Sequence, residues 1–302
     1  MTGVQTCALP ISFSFVVIIF FKGMLDGWDR QAKRDTIEWE AGGGQYWHDD
    51  YDPYDPFTLN ESHAKLPSSL KEQEKEGMLS PILITQGSVY PDGRIQTTLL
   101  KGIDPDQEFL NLPTERLNIS VDAVPAIIGT SMSRSSKLDS GDYVTARWRD
   151  ANGTFDATEL FIAGVFHSNV PSIDGGQIWV PLEQLREMTL LEDEATIIVA
   201  EPGYQGAQKL ENWEFKDLSF LLEDIDAIIK SKTAGSSVLY VILLLLAMLA
   251  IFDTQVLSIF RRQREIGTYV AMGMTRGQVV KLFTAEGAMH ALLAILVGAV
   301  YG

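Results

Sequence analysis

The chain has 302 residues, a formal net charge of −16 at pH 7 and 46% hydrophobic residues. The charge is unevenly distributed: Gly23 to Gly235 contains 18 basic and 37 acidic residues, whereas Arg261 to Lys281 contains five basic residues and one acidic residue. This acidic bulk excludes a duplex nucleic-acid binder, because phosphate contacts need a basic face. The composition also excludes a disordered chain, a collagen and a disulfide scaffold.

The two ends of the chain fit poorly with the rest. Residues 1–11, MTGVQTCALPI, resemble a translated sequencing adapter, and we interpret them as an artefact that contains the only cysteine, Cys7. An ordinary N-terminus or a signal peptide is the alternative, but no basic segment precedes the apolar run and no small-residue cleavage site follows it. The chain also stops at Gly302 inside an apolar run, so we expect a fragment that is open at both ends.

One long apolar run predicts a transmembrane helix over residues 236–260. Fifteen apolar residues, 238–252, are unbroken, and after a polar interruption at Asp253 the run continues to Phe260. A buried core helix is the alternative, but such a run leaves no polar face. Asp253 is an intramembrane carboxylate and therefore a candidate functional group, either a proton relay or a side chain that faces a helix partner or a hydrated cleft.

The basic sequence RRQR directly after this span marks its cytoplasmic end. Two partial apolar runs fit the same topology: we interpret 12–22 as the end of a first span and 287–302 as the start of a third. The predicted order is therefore a span, an external domain at 23–235, a second span, a cytoplasmic loop at 261–286 and a third span.

The external segment is predicted to be a mixed α/β domain, because β-branched and aromatic runs alternate with helical patterns. Helices are expected over Asp26–Glu40, Pro181–Leu191 and Gln205–Ile229, the last running almost directly into the span. Asp150–Gly153 is expected to be a hairpin turn. The six predicted strands are Ile82–Val89, Ile95–Ile103, Tyr143–Trp148, Glu159–Phe166, Gln177–Val180 and Thr196–Ala200.

Catalytic motifs are missing from the sequence. It contains no phosphate-binding loop, no H-E-x-x-H and no G-x-S-x-G, so we expect no catalytic residue and no enzyme. The acidic loop Trp47–Phe57 lacks the ligand pattern of a calcium loop, and the four histidines lack metal-ligand spacing. We therefore expect no metal and no cofactor on this chain, although a missing N-terminal extension could carry a phosphate loop.

The segment Arg261–Gly287 resembles the cytoplasmic loop of bacterial ABC-transporter permeases of the FtsX/MacB/LolC-LolE type. Three further elements, Gly141–Val144, Ile162–Phe166 and Ile178–Leu182, resemble parts of the MacB-like periplasmic domain. The resemblance covers most of the chain from about Phe13, and it departs from the family in most of the first span, part of the third and all of a fourth. The loop residues that carry it are Arg264, Glu265, Ile266, Gly267, Ala271, Gly273, Thr275, Phe283, Glu286 and Gly287.

The resemblance implies a MacB-like α/β periplasmic domain plus transmembrane α-helices in the bacterial inner membrane. It implies that 264–267, Ala271, Gly273 and Thr275 contact a cytosolic ABC ATPase, with ATP bound on that separate subunit. The other implied partners are a second permease copy or paralogue, and a lipoprotein or amphiphilic substrate. The alternative function is an FtsX-like regulatory membrane protein that activates a periplasmic partner or signals instead of moving cargo.

The loop also has local structural signals of its own. Residues 261–272 are expected to continue the span as a helix, Gly273 suits a helix C-terminus and Thr275 suits the N-cap of the next helix. Gly267 and Ala271 lie four residues apart, so they share one helix face and leave a small-residue groove. On charge alone, a basic loop held at the lipid headgroups is the alternative to an ATPase contact.

Overall fold

The computed structural model describes the backbone of residues 2–301 and most of their side chains. The side chains left undescribed are those at 2–15, 247, 250, 251, 254, 290, 291 and 293–301. The side chains of the predicted artefact at 1–11 and most side chains of the predicted third span therefore lie outside the described residues. The chain divides into two compact units, one of Gln31–Ile225 and one of Met1–Arg30 with Asp226–Gly302.

The Gln31–Ile225 unit is mixed α/β, which confirms the predicted class. Its strands are β1 (Gln45–His48), β2 (Ala64–Lys65), β3 (Leu79–Val89), β4 (Gln96–Ile103), β5 (Val124–Gly129), β6 (Tyr143–Arg149), β7 (Phe155–Phe166), β8 (Gln177–Pro181), β9 (Glu194–Ala195), β10 (Ile197–Ala200), β11 (Lys209–Leu210) and β12 (Trp213–Lys216). The helices of the chain are α1 (Thr2–Thr36), α2 (Ser68–Lys75), α3 (Thr130–Ser136), α4 (Pro171–Asp174), α5 (Leu182–Thr189), α6 (Leu218–Leu221), α7 (Glu223–Arg261), α8 (Gln263–Ala271) and α9 (Arg276–Tyr301).

Six strands of this unit close into a barrel. They follow the order β3-β4-β8-β5-β7-β6, and the barrel closes because β6 also pairs with the end of β3. Two of the pairings, β4–β8 and β5–β7, are parallel, and the others are antiparallel. The interior is filled with almost fully buried apolar side chains, which include Leu83, Leu100, Ile128, Trp148, Ile162 and Ile178.

Alternate residues of the same strands belong to a second core. Successive side chains of a strand point to opposite faces. Ile82, Trp179 and Ile127 therefore lie in the second core, and the residues next to them in sequence, such as Leu83, Ile178 and Ile128, lie in the barrel interior. Trp39, in a short π-helical turn after α1, covers this second core and stacks on Phe166 with ring centroids 5.8 Å apart. Strands β3, β5 and β8 are buried on both faces over most of their length, which explains their continuous hydrophobic runs, whereas β6 alternates between buried and exposed residues.

The barrel continues into an open sheet along the first half of β3. There β10 pairs with β3, and β1, β12 and β11 follow in that order. A third cluster lies on this extension and includes Tyr46, Leu70, Ile198 and Trp213, of which none is more than 1% exposed. The unit therefore has three separate cores.

All six predicted strands are confirmed, as β3, β4, β6, β7, β8 and β10. The predicted helix Pro181–Leu191 is confirmed as α5. The hairpin turn at Asp150–Gly153 is also confirmed, because the Asp150 carboxylate accepts hydrogen bonds from the backbone N–H groups of Asn152 (2.9 Å) and Thr154 (2.7 Å).

The helix predicted over Gln205–Ile229 is wrong in its first half. The chain there forms the β11–β12 hairpin, with Glu211 at a φ of 52° in the turn. Trp213 is buried in the third core, and Phe215 packs against that core two residues later, so their spacing follows the period of a strand. The helix begins only at Leu218, where the Asp217 carboxylate accepts a hydrogen bond from the Phe220 N–H at 2.9 Å.

Helix α7 has 39 residues and is about 58 Å long at 1.5 Å per residue, well beyond a bilayer core of roughly 30 Å. Within the described part of the chain, one segment is long and apolar enough to cross a membrane, and it is Glu223–Leu246. The predicted span at 236–260 lies in the same helix and overlaps this segment. The spans at 12–22 and 287–302 stay predictions.

Candidate functional site

The predicted loop at 261–286 is a helical hairpin formed by α8 and the start of α9. The expectation of one continuous helix over 261–272 is wrong, because Arg262 has a non-helical backbone (φ −102°, ψ 17°) that separates α7 from α8. Arginine and glutamine favour helices, so the local sequence contains no sign of this break. The break coincides with a long-range contact of the Arg262 side chain.

That contact is a cluster of charges around the Arg262 guanidinium. Its Nη1 donates to both carboxylate oxygens of Glu286, at 2.8 and 2.9 Å, and its Nε donates to Glu265 Oε2 at 2.8 Å. The same guanidinium lies over the Phe283 ring, 5.4 Å from its centroid. One side chain therefore ties the first turn of α8 to the middle of α9, and both carboxylates hold the pKa of Arg262 above its ordinary value.

The turn between α8 and α9 is fixed by two backbone motifs. Gly273 has a φ of 97°, its N–H donates to Val270 O, and the Met274 N–H donates to Tyr269 O, which is a Schellman ending for α8. Thr275 and Gln278 then form a capping box at the start of α9: the Gln278 N–H donates to Thr275 Oγ1 and the Thr275 N–H donates to Gln278 Oε1. Both local predictions, for Gly273 and for Thr275, are confirmed.

The residues predicted to contact an ATPase do not all lie on one face of α8. Arg264, Gly267 and Ala271 are exposed and lie at spacings of three and four, so they share an outward face. A Cβ added at Gly267 would meet nothing within 4 Å, so this face is open. Ile266 lies on the half-buried side of α8, and the Glu265 carboxylate is engaged by Arg262.

The exposed charge of the hairpin is mainly positive. Arg261, Arg264, Arg276 and Lys281 are all exposed, which fits an acidic or anionic surface on a partner. Asp253 lies eight residues before Arg261 and is exposed on α7, and its role stays a prediction.

The sequence did not predict the Arg262–Glu286 pair. Glu286 was singled out only through the family resemblance, and Arg262 only as one of several basic residues. The two side chains are 24 residues apart on different helices, a spacing for which no local pattern exists.

Residues 237–302 match the family described as FtsX-like permease C-terminal. The match covers the C-terminal segment of the chain, which is therefore similar to FtsX-like permeases over these residues. The resemblance to FtsX/MacB-type ABC permeases is confirmed, and the matched region contains the whole α8–α9 hairpin. Permeases of this family are membrane-associated, are generally not enzymes and work with an ATPase partner. No curated protein matches the chain.

Two solved structures are similar to the chain at low sequence identity. The extracellular domain of the noncanonic ABC-type transporter YknZ from Gram-positive bacteria is 13% identical, with a TM-score of 0.32, and the match covers 53% of this chain and 83% of that one. The periplasmic region of MacB from Actinobacillus actinomycetemcomitans is 10% identical, with a TM-score of 0.40, and the match covers 61% and 92%.

Proposed function

We propose that the chain is the transmembrane permease subunit of an ABC transporter in the bacterial inner membrane, with its α/β unit in the periplasm. ATP is hydrolysed on a separate cytosolic subunit, and the α8–α9 hairpin transmits that subunit's movement to the permease. The observation that carries this proposal is the FtsX-like match over 237–302, which includes the hairpin with its open, basic outward face.

The hairpin is built to transmit force. Helix α8 is fixed at its start by the Arg262–Glu286 pair and at its end by the Schellman turn and the capping box. A load on α8 therefore displaces the start of α9 with it. A loop without these contacts would absorb the movement by bending, since a few backbone angles in a flexible connection take up a domain shift.

The substrate and the assembly extend the proposal. The transported molecule is a lipoprotein or another amphiphile, and a second permease copy or a paralogue completes the membrane part. Basic residues that flank a span mark its cytoplasmic end, and RRQR lies at the C-terminal end of α7. The acidic α/β unit precedes α7, which supports an external position for this unit.

The test is Gly267→Trp in the permease reconstituted with its ATPase. The indole fits in free space on this chain, so folding and membrane insertion should be preserved, but it should block a close approach of the ATPase. We expect loss of co-purification and of permease-stimulated ATP turnover. Gly235→Trp is the matched control, because Gly235 also lies on a helix with open space around it and far along α7 from the hairpin.

A Gly267→Trp permease that inserts normally, retains the ATPase and supports parental turnover would refute the assignment of the hairpin. Loss of turnover in the Gly235→Trp control as well would also count against it, because the effect would then not be specific to the contact.

A further inference from the structure

The α/β unit contains a cavity of about 840 Å³ that the coupling function does not use. Its inner wall belongs to the second core and includes Trp47, Ile82, Trp179 and Ile197. Pockets of roughly 300–1,000 Å³ that combine apolar walls with a few polar groups are typical of small-molecule sites.

Lys101 lies in the wall of this cavity and is only 6% exposed. Lys101 on β4 is the register partner of Trp179 on the neighbouring parallel strand β8. The Lys101 Nζ lies 5.1 Å from the centroid of the Trp179 ring. Among the described residues its ammonium group makes no hydrogen bond and no ion pair. Burial lowers the pKa of Lys101, and the negative charge of Glu40 only partly opposes this effect.

A second buried donor lies beside the lysine. Trp179 is 1% exposed, and its indole Nε1 has no acceptor among the described residues. Buried polar groups are costly unless they are hydrogen-bonded, so two neighbouring donors without acceptors indicate a missing acceptor. A ligand oxygen in the cavity would supply it.

The other lysine of the wall is already paired. Lys216 pairs with Glu214 at 2.9 Å and lies over the Phe220 ring. The wall contains no arginine, the side chain that suits bidentate binding of a phosphate. The remaining carboxylates of the wall repel a doubly charged group more strongly than a singly charged one, and they are Glu40, Asp49, Asp52, Glu223 and Asp224.

We propose that this cavity binds an amphiphile with a single carboxylate, whose oxygen accepts from Lys101 and whose apolar chain lies against Trp47, Trp179 and Ile82. One buried ammonium balances one negative charge, and the apolar wall accounts for the rest of the molecule. The proposal is independent of the ATPase contact.

The first experiment varies the ligand and leaves the protein unchanged. The full chain is reconstituted in nanodiscs and titrated with dodecanoate carrying bromine atoms, which quench indole fluorescence on contact. Brominated dodecanol and brominated dodecyl phosphate of the same chain length are the comparison probes. We expect saturable quenching by the carboxylate at concentrations at least roughly tenfold lower than those that the other two probes require. This factor corresponds to the loss of one charge-assisted hydrogen bond. Equal or tighter binding of the alcohol or the phosphate would overturn the proposal.

The second experiment varies the protein. Lys101→Met removes the ammonium and keeps a long unbranched side chain, and Lys216→Met removes the cation that is already paired. We expect dodecanoate affinity to fall at least roughly tenfold in the first variant and to stay near parental in the second. Both variants quench equally by partition into the lipid, so the difference isolates the cavity. Equal dodecanoate affinity in the parent and in folded Lys101→Met would refute the site.

Discussion

The two units of this chain differ in how they bury apolar surface. In the α/β unit, Leu83, Leu100 and Ile128 are 0% exposed, whereas Leu244 and Leu245 on α7 are 58% and 57% exposed. The α/β unit therefore supplies its own hydrophobic stabilisation, but α7 requires an apolar environment outside the chain. The α/β unit is therefore suited to water, and the exposed apolar surface of α7 is suited to a lipid bilayer.

Polar groups follow the same division. The α/β unit buries several of them, and the Asp174 carboxylate there is satisfied by donors from two other segments. The hairpin keeps its charges at the surface and joins some of them through Arg262. Buried groups of the first kind should matter for folding, whereas surface pairs of the second kind should matter mainly for the position of α8.

The largest expected effect separates the two kinds of leucine. Leu100→Ala removes a side chain that is 0% exposed in the barrel and should cost about 2–5 kcal/mol of unfolding free energy. Leu245→Ala, at a 57% exposed position, should change the unfolding of the α/β unit by less than about 0.5 kcal/mol. Urea unfolding in detergent, followed by near-UV circular dichroism, measures both. Equal shifts would show that the units do not unfold separately.

The second prediction concerns Asp174. Burial would raise the pKa of its carboxyl, but hydrogen bonds from Ser131, Ser168 and Thr130 outweigh burial and hold the pKa below the ordinary value of 3.8. Its stabilisation is therefore fully present above pH 3.8 and is lost as the pH falls through the lower, folded-state pKa. Asp174→Asn should destabilise the unit by about 1–3 kcal/mol at pH 7, because the backbone donors lose a charged acceptor.

The gap between parent and Asp174→Asn should shrink as the pH falls below 3.8, and urea unfolding at several pH values measures it. Asp156→Asn, at an exposed position of β7, is the control and should show almost no difference at any pH. A gap that is constant down to acid pH would mean that the Asp174 carboxylate is not the stabilising acceptor.

A smaller effect is expected at the capping box of α9. Thr275→Ala removes the hydroxyl that accepts from the Gln278 N–H and should cost about 1 kcal/mol locally. Amide exchange in the first turn of α9 should then be roughly fivefold faster, while exchange in the barrel stays unchanged. Thr275→Ser keeps the acceptor and should restore slow exchange. Unchanged exchange in the alanine variant would show that the cap does not hold the helix end.

The smallest effect concerns the Arg262–Glu286 pair. A double-mutant cycle with Arg262→Met and Glu286→Gln should give a coupling of about 0.5–1 kcal/mol, because both side chains are partly exposed. Amide exchange in α8 is the measurement. Each single variant should also reduce permease-stimulated ATP turnover, since α8 loses its connection to α9. Additive effects in the cycle would rule out a direct coupling.

The sequence predicted features whose signals are local. Gly273 and Thr275 lie at helix ends that they themselves stabilise, and the Asp150 turn makes its hydrogen bonds within four residues. The six predicted strands have β-branched or aromatic runs of their own. Such features depend on neighbouring residues, so a single sequence is enough to find them.

The missed features depend on distant segments or on conflicting signals. Strand β5 was not predicted; it contains Pro125, a residue that is rare in central strands, yet it pairs with both β7 and β8. The Lys101–Trp179 contact joins residues 78 positions apart through the parallel β4–β8 pairing. Neither residue has a neighbour in sequence that indicates a cavity, so that candidate site could not be predicted.

The central proposal is that residues of the α/β unit and of the α8–α9 hairpin are exposed on opposite sides of a membrane. Single cysteines at Ser140 in the α/β unit and at Gln263 in the hairpin test it directly, because both positions are exposed, and Cys7 is first replaced by serine. In intact spheroplasts, an impermeant maleimide should label Ser140→Cys at once and Gln263→Cys only after lysis. Labelling of Gln263→Cys but not Ser140→Cys in intact cells would contradict the orientation, and labelling of both would contradict the separation.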